Sequence, residues 1–323
     1  MVSEYTLSLS GHKKAEAVLA RAIVSGKVFP TWIFTGSFGV GKASMAYKFA
    51  KCLLSETIPT DDTLNIDENH PVNRLVSTHT HPDFFTLGQG GESVSIDEIR
   101  ELLGKVRMTS TMSKWRVAIL ENADTFNKNI YNSLLKFLEE PPANTVIILL
   151  CEHTGAIPKT LLSRASKLHF NPLSEADVLQ FLQDNKIDNA EELAHLADGS
   201  VGYAMYLSEN SGVEIYHRIL QGFASEADSK AALQYLIENN LKDDFKIVAR
   251  SITRILKIFT DMISGTESEQ NRRELDILRN RQIDNPDKAI QNVIDIICML
   301  NKCESQMLDK NAVMVYAYEK FFS

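Results

Sequence analysis

The sequence predicts an α/β fold built on a parallel sheet, with helical segments following it, and three observations carry that prediction. A short apolar run, Thr31-Trp-Ile-Phe-Thr35, enters a glycine loop, Gly36-Ser-Phe-Gly-Val-Gly-Lys42, which opens a helical stretch. Further runs rich in Val, Ile and Leu alternate with helical periodicity, as expected of parallel strands covered on both faces. From about Gly212 to Ser323 the pattern is helical almost throughout.

Taken in order, Lys13 to Ala22 places apolar and small residues at helical spacing and gives a first helix, before the strand Thr31 to Thr35. A second helix runs from Lys42 to about Leu54. Ser55 to Asn73 is polar, contains Pro59 and Pro71, shows no sustained period and reads as a loop or insertion. Phe84 to Leu87 is a second strand. Ser95-Ile-Asp-Glu98 has capping-box spacing, and Ile99, Leu102, Leu103 and Val106 then trace one helical face. Val117 to Leu120 and Val146 to Leu150 are the third and fourth strands. Between them, in Asn132 to Pro142, Leu134, Leu135 and Leu138 point inward and Glu139-Glu140-Pro141-Pro142 stops the helix, with Lys128 and Lys136 read as solvated.

The sheet block ends near Pro172, which gives a first domain over 1–172. Short helical pieces follow, through Gln183, around Ala190 to Ala197, and after Gly199-Ser200. They predict a small helical lid over 173–211. The all-α region 212–323 is interrupted by the polar stretch Gly265 to Asn271 and by Asn285-Pro286, and Phe321 and Phe322 near its end suit either an anchor or simple core packing.

A length of 323 residues with 44% apolar side chains predicts two or three domains with packed cores. Lys and Arg total 34 against 42 Asp and Glu, so the net charge of −8 gives no bulk attraction for nucleic acid. Contact with DNA must then be local or made through partners. Cys52, Cys151, Cys298 and Cys303 are scattered and form no CxxC pair, which argues against a disulfide framework or a zinc ribbon and fits a reducing cytoplasm. Met1 to Leu9 includes Glu4 and lacks a long apolar core, and no apolar run approaches the roughly 20 residues of a membrane span. The expectation is a cytoplasmic protein, neither exported nor membrane-embedded.

The chemistry centres on the glycine loop. Gly36, Gly39 and Gly41 let successive backbone N–H groups turn toward phosphate at a helix N-terminus, and Lys42 is spaced to reach the terminal phosphates. The residue after that lysine should carry a hydroxyl to ligate Mg²⁺, and Ala43 carries a methyl. Ser44 is a poor substitute, because one step along a helix turns a side chain by about 100°. At the end of the third strand, where a metal-binding acid and a water-activating carboxylate belong, stand Glu121 and Asn122. A carboxamide takes no proton from water. Asp124 lies beyond the strand and reads as an ordinary solvated or capping acid.

Together, Gly36 to Lys42, His81-Pro-Asp83, Ser95-Ile-Asp-Glu-Ile-Arg100, Asn132 to Pro142, Ser163-Arg164 and Gly199-Ser-Val-Gly202 resemble, in order, the AAA+ clamp-loader subunits of bacterial DNA polymerase III over roughly Gly11 to Leu207. The resemblance implies an AAA+ P-loop domain with a parallel sheet, a small helical lid, and a C-terminal collar domain through which subunits associate. Within the family it favours the delta-prime branch, which lacks motor activity, over the tau and gamma motors. Ala43 and Asn122 depart from the motor pattern. So does the stretch between the phosphate loop and His81-Pro82, where motors carry four zinc-binding cysteines and this chain has only Cys52. One thiolate beside His70, His79 and His81 does not make a tetrahedral zinc site, so no metal is expected. Gly202 stands where a motor's sensor arginine would be.

The resemblance also gives Arg164 a role. An isolated arginine reads as a surface or interface ion pair, but the approach Ile157-Pro-Lys-Thr-Leu-Leu162 matches the family's approach to an arginine finger, although Ala165 stands where the family has cysteine. A guanidinium delivered in trans stabilises charge on a transferred phosphoryl group. The implied partners are tau/gamma motors and a delta subunit in a heteropentamer, the sliding clamp, and primer-template DNA through the assembled complex. No intrinsic ATPase is expected of the isolated chain, no cofactor is required, and ATP or ADP is expected to bind weakly at most. Two other readings stand beside this one: an active ATPase motor that recruits Ser44 and Asp124, and a P-loop nucleotide-binding regulator outside replication.

Overall fold

A computed structural model of the protein describes residues 11–238, 245–279, 285–306 and 308–322. The segment Met1 to Leu9, read above for a leader, lies outside the described residues. The chain divides into two compact units between Ala204 and Met205.

The first unit runs α1 (Lys13–Val24), β1 (Thr31–Thr35), α2 (Lys42–Leu54), α3 (Pro71–Ser77), β2 (Phe84–Leu87), α4 (Ile96–Arg107), β3 (Arg116–Leu120), α5 (Lys128–Glu139), β4 (Thr145–Cys151), α6 (Lys159–Leu162) and β5 (Ser166–His169). Then come α7 (Glu175–Asp184), α8 (Ala190–Leu196) and α9 (Val201–Glu209), the last of which contains the division. The five strands form one parallel sheet in the order β2-β3-β4-β1-β5.

Alternation along the strands explains the layers. In β1 and β4, Trp32, Phe34, Val146, Ile148 and Leu150 face one cluster with Leu19, Met45, Phe49 and Leu53. Ile33, Ile147 and Leu149 face the opposite cluster with Ile99, Leu102, Ile130, Leu134 and Phe137. Both faces are therefore dry, as an all-parallel sheet requires. The predicted capping box is present: Ser95 Oγ accepts from Glu98 N–H while the Glu98 carboxylate accepts from Ser95 N–H. It gives acceptors to two orphan backbone donors at the start of α4, a cap worth about 1 kcal/mol.

Two elements differ from the sequence reading. The stretch read as a loop to Asn73 gives way at Pro71 to α3, which His70 caps through Nδ1 accepting from Val72 N–H, with proline at the first helical position. A fifth strand, β5, pairs with β1 where no strand was expected.

The second unit holds α10 (Gly212–Gly222), α11 (Glu226–Glu238), α12 (Phe245–Ser264), α13 (Arg272–Leu278), α14 (Pro286–Gln306) and α15 (Lys310–Phe322). Its core is aromatic: the Phe321 ring packs 4.6 Å from Phe223 and 4.8 Å from Phe259, edge-on to each. Phe321 is thus a core residue. Among the described residues no helix is long and apolar enough to cross a membrane.

Candidate functional site

In parallel α/β sheets ligands meet the loops at the C-terminal ends of the strands. Here that edge gathers the Gly36 to Lys42 loop after β1, Gly88 to Gly91 after β2, Glu121 to Asp124 after β3, and Glu152 and His153 after β4. Side chains tie these loops to one another.

The glycine loop needs its glycines. Gly36, Gly39 and Gly41 have φ of 149°, 71° and 109°, and a Cβ on Gly36 would sit 2.5 Å from Phe170 O. Gly41 opens α2 directly. Lys42 is only 9% exposed, and its Nζ donates to Gly36 O at 2.7 Å and to Ser37 O at 2.9 Å. The ammonium thus rests on its own loop's carbonyls. The Ala43 methyl packs against the apolar cluster around Met45 and Phe49, so the chain offers backbone amides and an ammonium to phosphate but no hydroxyl to Mg²⁺ at that position.

Asn122 is a structural choice as well as a missing base. It adopts left-handed φ 53°, ψ 41°, a conformation asparagine tolerates better than glutamate, and its Nδ2 donates to Gly88 O at 3.0 Å. A carboxylate there would face a carbonyl oxygen with no proton to share. Glu121 is half-buried and continues the ladder, its N–H donating to Leu87 O at 2.9 Å. Asp124 is a tie between loops: Oδ2 accepts from Glu152 N–H and His153 N–H at 3.0 and 3.1 Å. This joins the end of β3 to the end of β4, a more specific task than the solvated or capping acid read from sequence.

Three polar residues of this unit make contacts that the sequence reading did not foresee. His12 is buried and its Nε2–H donates to Val40 O at 2.7 Å; burial pulls its pKa below the ordinary value, and the bond to Val40 opposes that only in part. Asp83 is buried and accepts from three successive amides, Thr111, Met112 and Ser113, at 2.7, 2.7 and 3.0 Å. Burial alone would raise its pKa, but those bonds and neighbouring His81 more than offset it and hold the carboxyl low. Ser200 reaches the phosphate loop, its Oγ donating to Phe38 O at 2.7 Å. His12 and Ser200 act over 28 and 162 residues, beyond the reach of local pattern.

Among the described residues no group of three or more His, Cys, Asp or Glu is placed to hold a metal. His70 caps α3, His79 lies against Tyr47 and Phe84, and His81 Nδ1 accepts from Asp83 N–H at 3.1 Å.

Arg164 stands elsewhere. It follows α6 in a tight turn, with its N–H bonded to Leu161 O, its Nη1 donating to Thr160 O at 3.1 Å, and its side chain exposed. Ser166, two residues on, pairs with Trp32, so Arg164 lies at the N-terminal end of β5 while Gly36 lies past the C-terminal end of β1. Ser166 itself is four positions from the level of Gly36, or about 13 Å at about 3.3 Å per residue, and Arg164 precedes it. An arginine side chain does not span such a gap, so Arg164 does not reach its own phosphate loop.

The family described as DNA polymerase III, delta subunit, matches residues 11–174. The chain is similar to DNA polymerase III subunit delta' of Bacillus subtilis, 29% identical over 198 residues, covering 60% of this chain and 58% of that protein. It is also similar to subunit gamma of Buchnera aphidicola from Acyrthosiphon pisum, 24% identical over 216 residues, covering 64% of this chain and 59% of that protein. The chain thus spans less than two thirds of the length of these relatives. A gamma subunit-related protein of Thermotoga maritima shares the fold, with a TM-score of 0.54 at 16% identity over 95% of this chain and 99% of that one.

Proposed function

The chain belongs to the DNA polymerase III delta-subunit family, and from that premise we propose that it is a clamp-loader subunit of the delta-prime kind, which serves a neighbour's ATP without hydrolysing its own. The observation that carries the reading is the separation of Arg164 from the chain's own phosphate loop, at opposite ends of the sheet. A guanidinium in that place, exposed and permanently charged, suits the triphosphate of an adjacent subunit.

The chain's own loop supports the same division. Mg²⁺ lacks its hydroxyl at Ala43, and Asn122 donates a hydrogen bond where a base would accept a proton. The similarity to both delta' and gamma proteins leaves the branch to these positions. In this proposal 1–172 is the nucleotide-binding-like domain, 173–211 the lid and 212–323 the collar. The partners are tau/gamma motors and delta in a heteropentamer, with the clamp and primed DNA met through the assembly. Gly36, Gly39, Gly41 and Lys42 keep a phosphate cradle that needs no bound cofactor for this role.

The test is Arg164→Ala in a complex reconstituted with motor and delta subunits. Assembly should survive by gel filtration, and clamp- and DNA-stimulated ATP hydrolysis should fall by about 10³ or more. Unchanged hydrolysis removes the finger. Phosphate release by the chain alone, abolished in Lys42→Ala, would instead mark it as a motor.

A further inference from the structure

The phosphate loop is gripped from outside by the turn that starts α9. Ser200 Oγ donates to Phe38 O at 2.7 Å and accepts from Tyr203 N–H at 3.0 Å, so one hydroxyl both holds the loop and caps the helix. Two residues on, Gly202 N–H donates to Gly39 O at 2.9 Å.

The approach is closer than side chains allow. A Cβ on Gly39 would stand 2.5 Å from Tyr203 N and 2.6 Å from Ser200 Oγ, and a Cβ on Gly202 would stand 2.7 Å from Gly39 Cα. Two glycine backbones therefore touch, one from each segment. The sensor position accordingly has no room for an arginine while this contact is closed.

The turn is braced on its other side as well. Gly199 has φ 76°, a Cβ there would lie 2.4 Å from Leu173 O, and Leu173 N–H donates to Gly199 O at 2.9 Å. On the loop, Val40 O is taken by His12 at 2.7 Å. Three successive carbonyls, Phe38, Gly39 and Val40, are thus tied to Ser200, Gly202 and His12. Pinning the carbonyls fixes the orientation of the peptide units that a phosphate loop uses.

We infer that the Gly199–Tyr203 turn is a latch that joins the start of α9 to the phosphate loop through Ser200 and Gly202, so that the two open together and need no nucleotide to stay closed. The contact itself stands on the geometry.

The test is hydrogen exchange on the full chain, following peptides that cover 36–44 and 199–209, with and without saturating Mg·ATP. Ser200→Ala should speed exchange of both peptides by a common factor of roughly fivefold, the size expected for one buried hydrogen bond. Ser200→Thr, which keeps the hydroxyl, should restore most of the protection. Gly202→Ala forces a methyl into Gly39 and should open both peptides further. If Ser200→Ala loosens 199–209 alone, or if Mg·ATP protects both peptides of the unaltered chain more than the substitution exposes them, the latch is overturned. Phosphate release measured on the same samples keeps the readings apart: turnover by the unaltered chain would sink the proposed function, yet coupled exchange would still establish the latch.

Discussion

Lys42 and Arg164 are the two cations the sequence singled out, and the fold treats them oppositely. Lys42, past the end of β1, is 9% exposed and spends its ammonium on Gly36 O and Ser37 O. Arg164, before the start of β5, is exposed, and its Nη1 rests on Thr160 O. One charge is turned into its own loop and the other is presented outward. The contrast teaches that the position of a charge on the sheet, as much as its residue type, decides whether it can reach its own phosphate loop.

The comparison is sharpened most by a substitution that keeps the charge at the outward site. Arg164→Lys retains one positive charge but loses the planar fork. A reconstituted loader carrying it should recover little of the roughly 10³-fold or greater loss expected for Arg164→Ala. The isolated chain should unfold within about 0.5 kcal/mol of the unaltered protein in urea, as for most exposed positions. Full activity with lysine would mean that charge alone suffices and that the fork geometry is irrelevant.

The inward site should behave in reverse. Lys42→Ala removes a buried donor from two loop carbonyls and should cost about 1–3 kcal/mol of stability in the chain alone. The same substitution should leave ATP hydrolysis by the reconstituted complex unchanged. If hydrolysis falls as far as with Arg164→Ala, the loop is part of the reaction and the contrast fails.

Asn122→Glu asks whether the loop edge can be repaired. It puts a base where one is missing, but in a left-handed conformation and against Gly88 O. We expect a loss of about 1–2 kcal/mol and no gain in phosphate release, because the strain and the lost bond act together. Turnover appearing in this variant would show that the carboxylate was the one missing element.

What the sequence disclosed about these sites follows the range of the interactions. β1, α2 and β2 have the expected bounds because each is a local pattern with a strong punctuator, the glycine loop above all. The Ser95–Glu98 box spans only four residues and is equally visible. β5 escaped because only one of its four residues is buried and Lys167 interrupts it; an edge strand leaves no apolar run. At seven residues α3 is too short to display a period. The ties that shape the loop edge, Ser200 to Phe38 and His12 to Val40, are long-range, and nothing in their neighbourhoods announces them. Asp83 sits inside a noticed motif, but its partners, the amides of Thr111 to Ser113, carry no side-chain signature.

The smallest effect we expect is on acid stability, and it draws on both ends of the sheet, His12 at the phosphate loop and His81 with Asp83 before the start of β2. His12 and His81 are both held neutral by the fold: His12 lends its Nε2 proton to Val40 O, and His81 Nδ1 must stay unprotonated to accept from Asp83 N–H. Burial lowers both pKa values, and for His81 the nearby Asp83 carboxylate opposes the shift without reversing it. The unfolded chain therefore takes up protons first as pH falls below the ordinary histidine value of 6.5, and stability present above that value is lost on acidification. Asp83, also held low, adds a second loss only at more acid pH, below its ordinary 3.8. Thermal unfolding should thus begin at lower temperature at pH 5.5 than at pH 7.5. His81→Gln, whose amide oxygen can still accept from Asp83 N–H, should flatten that decline. Arg164 and its turn include no such histidine contact, so Arg164→Ala should leave the profile as it is, and a profile that moves with Arg164 would show that its turn is coupled to one of these histidines.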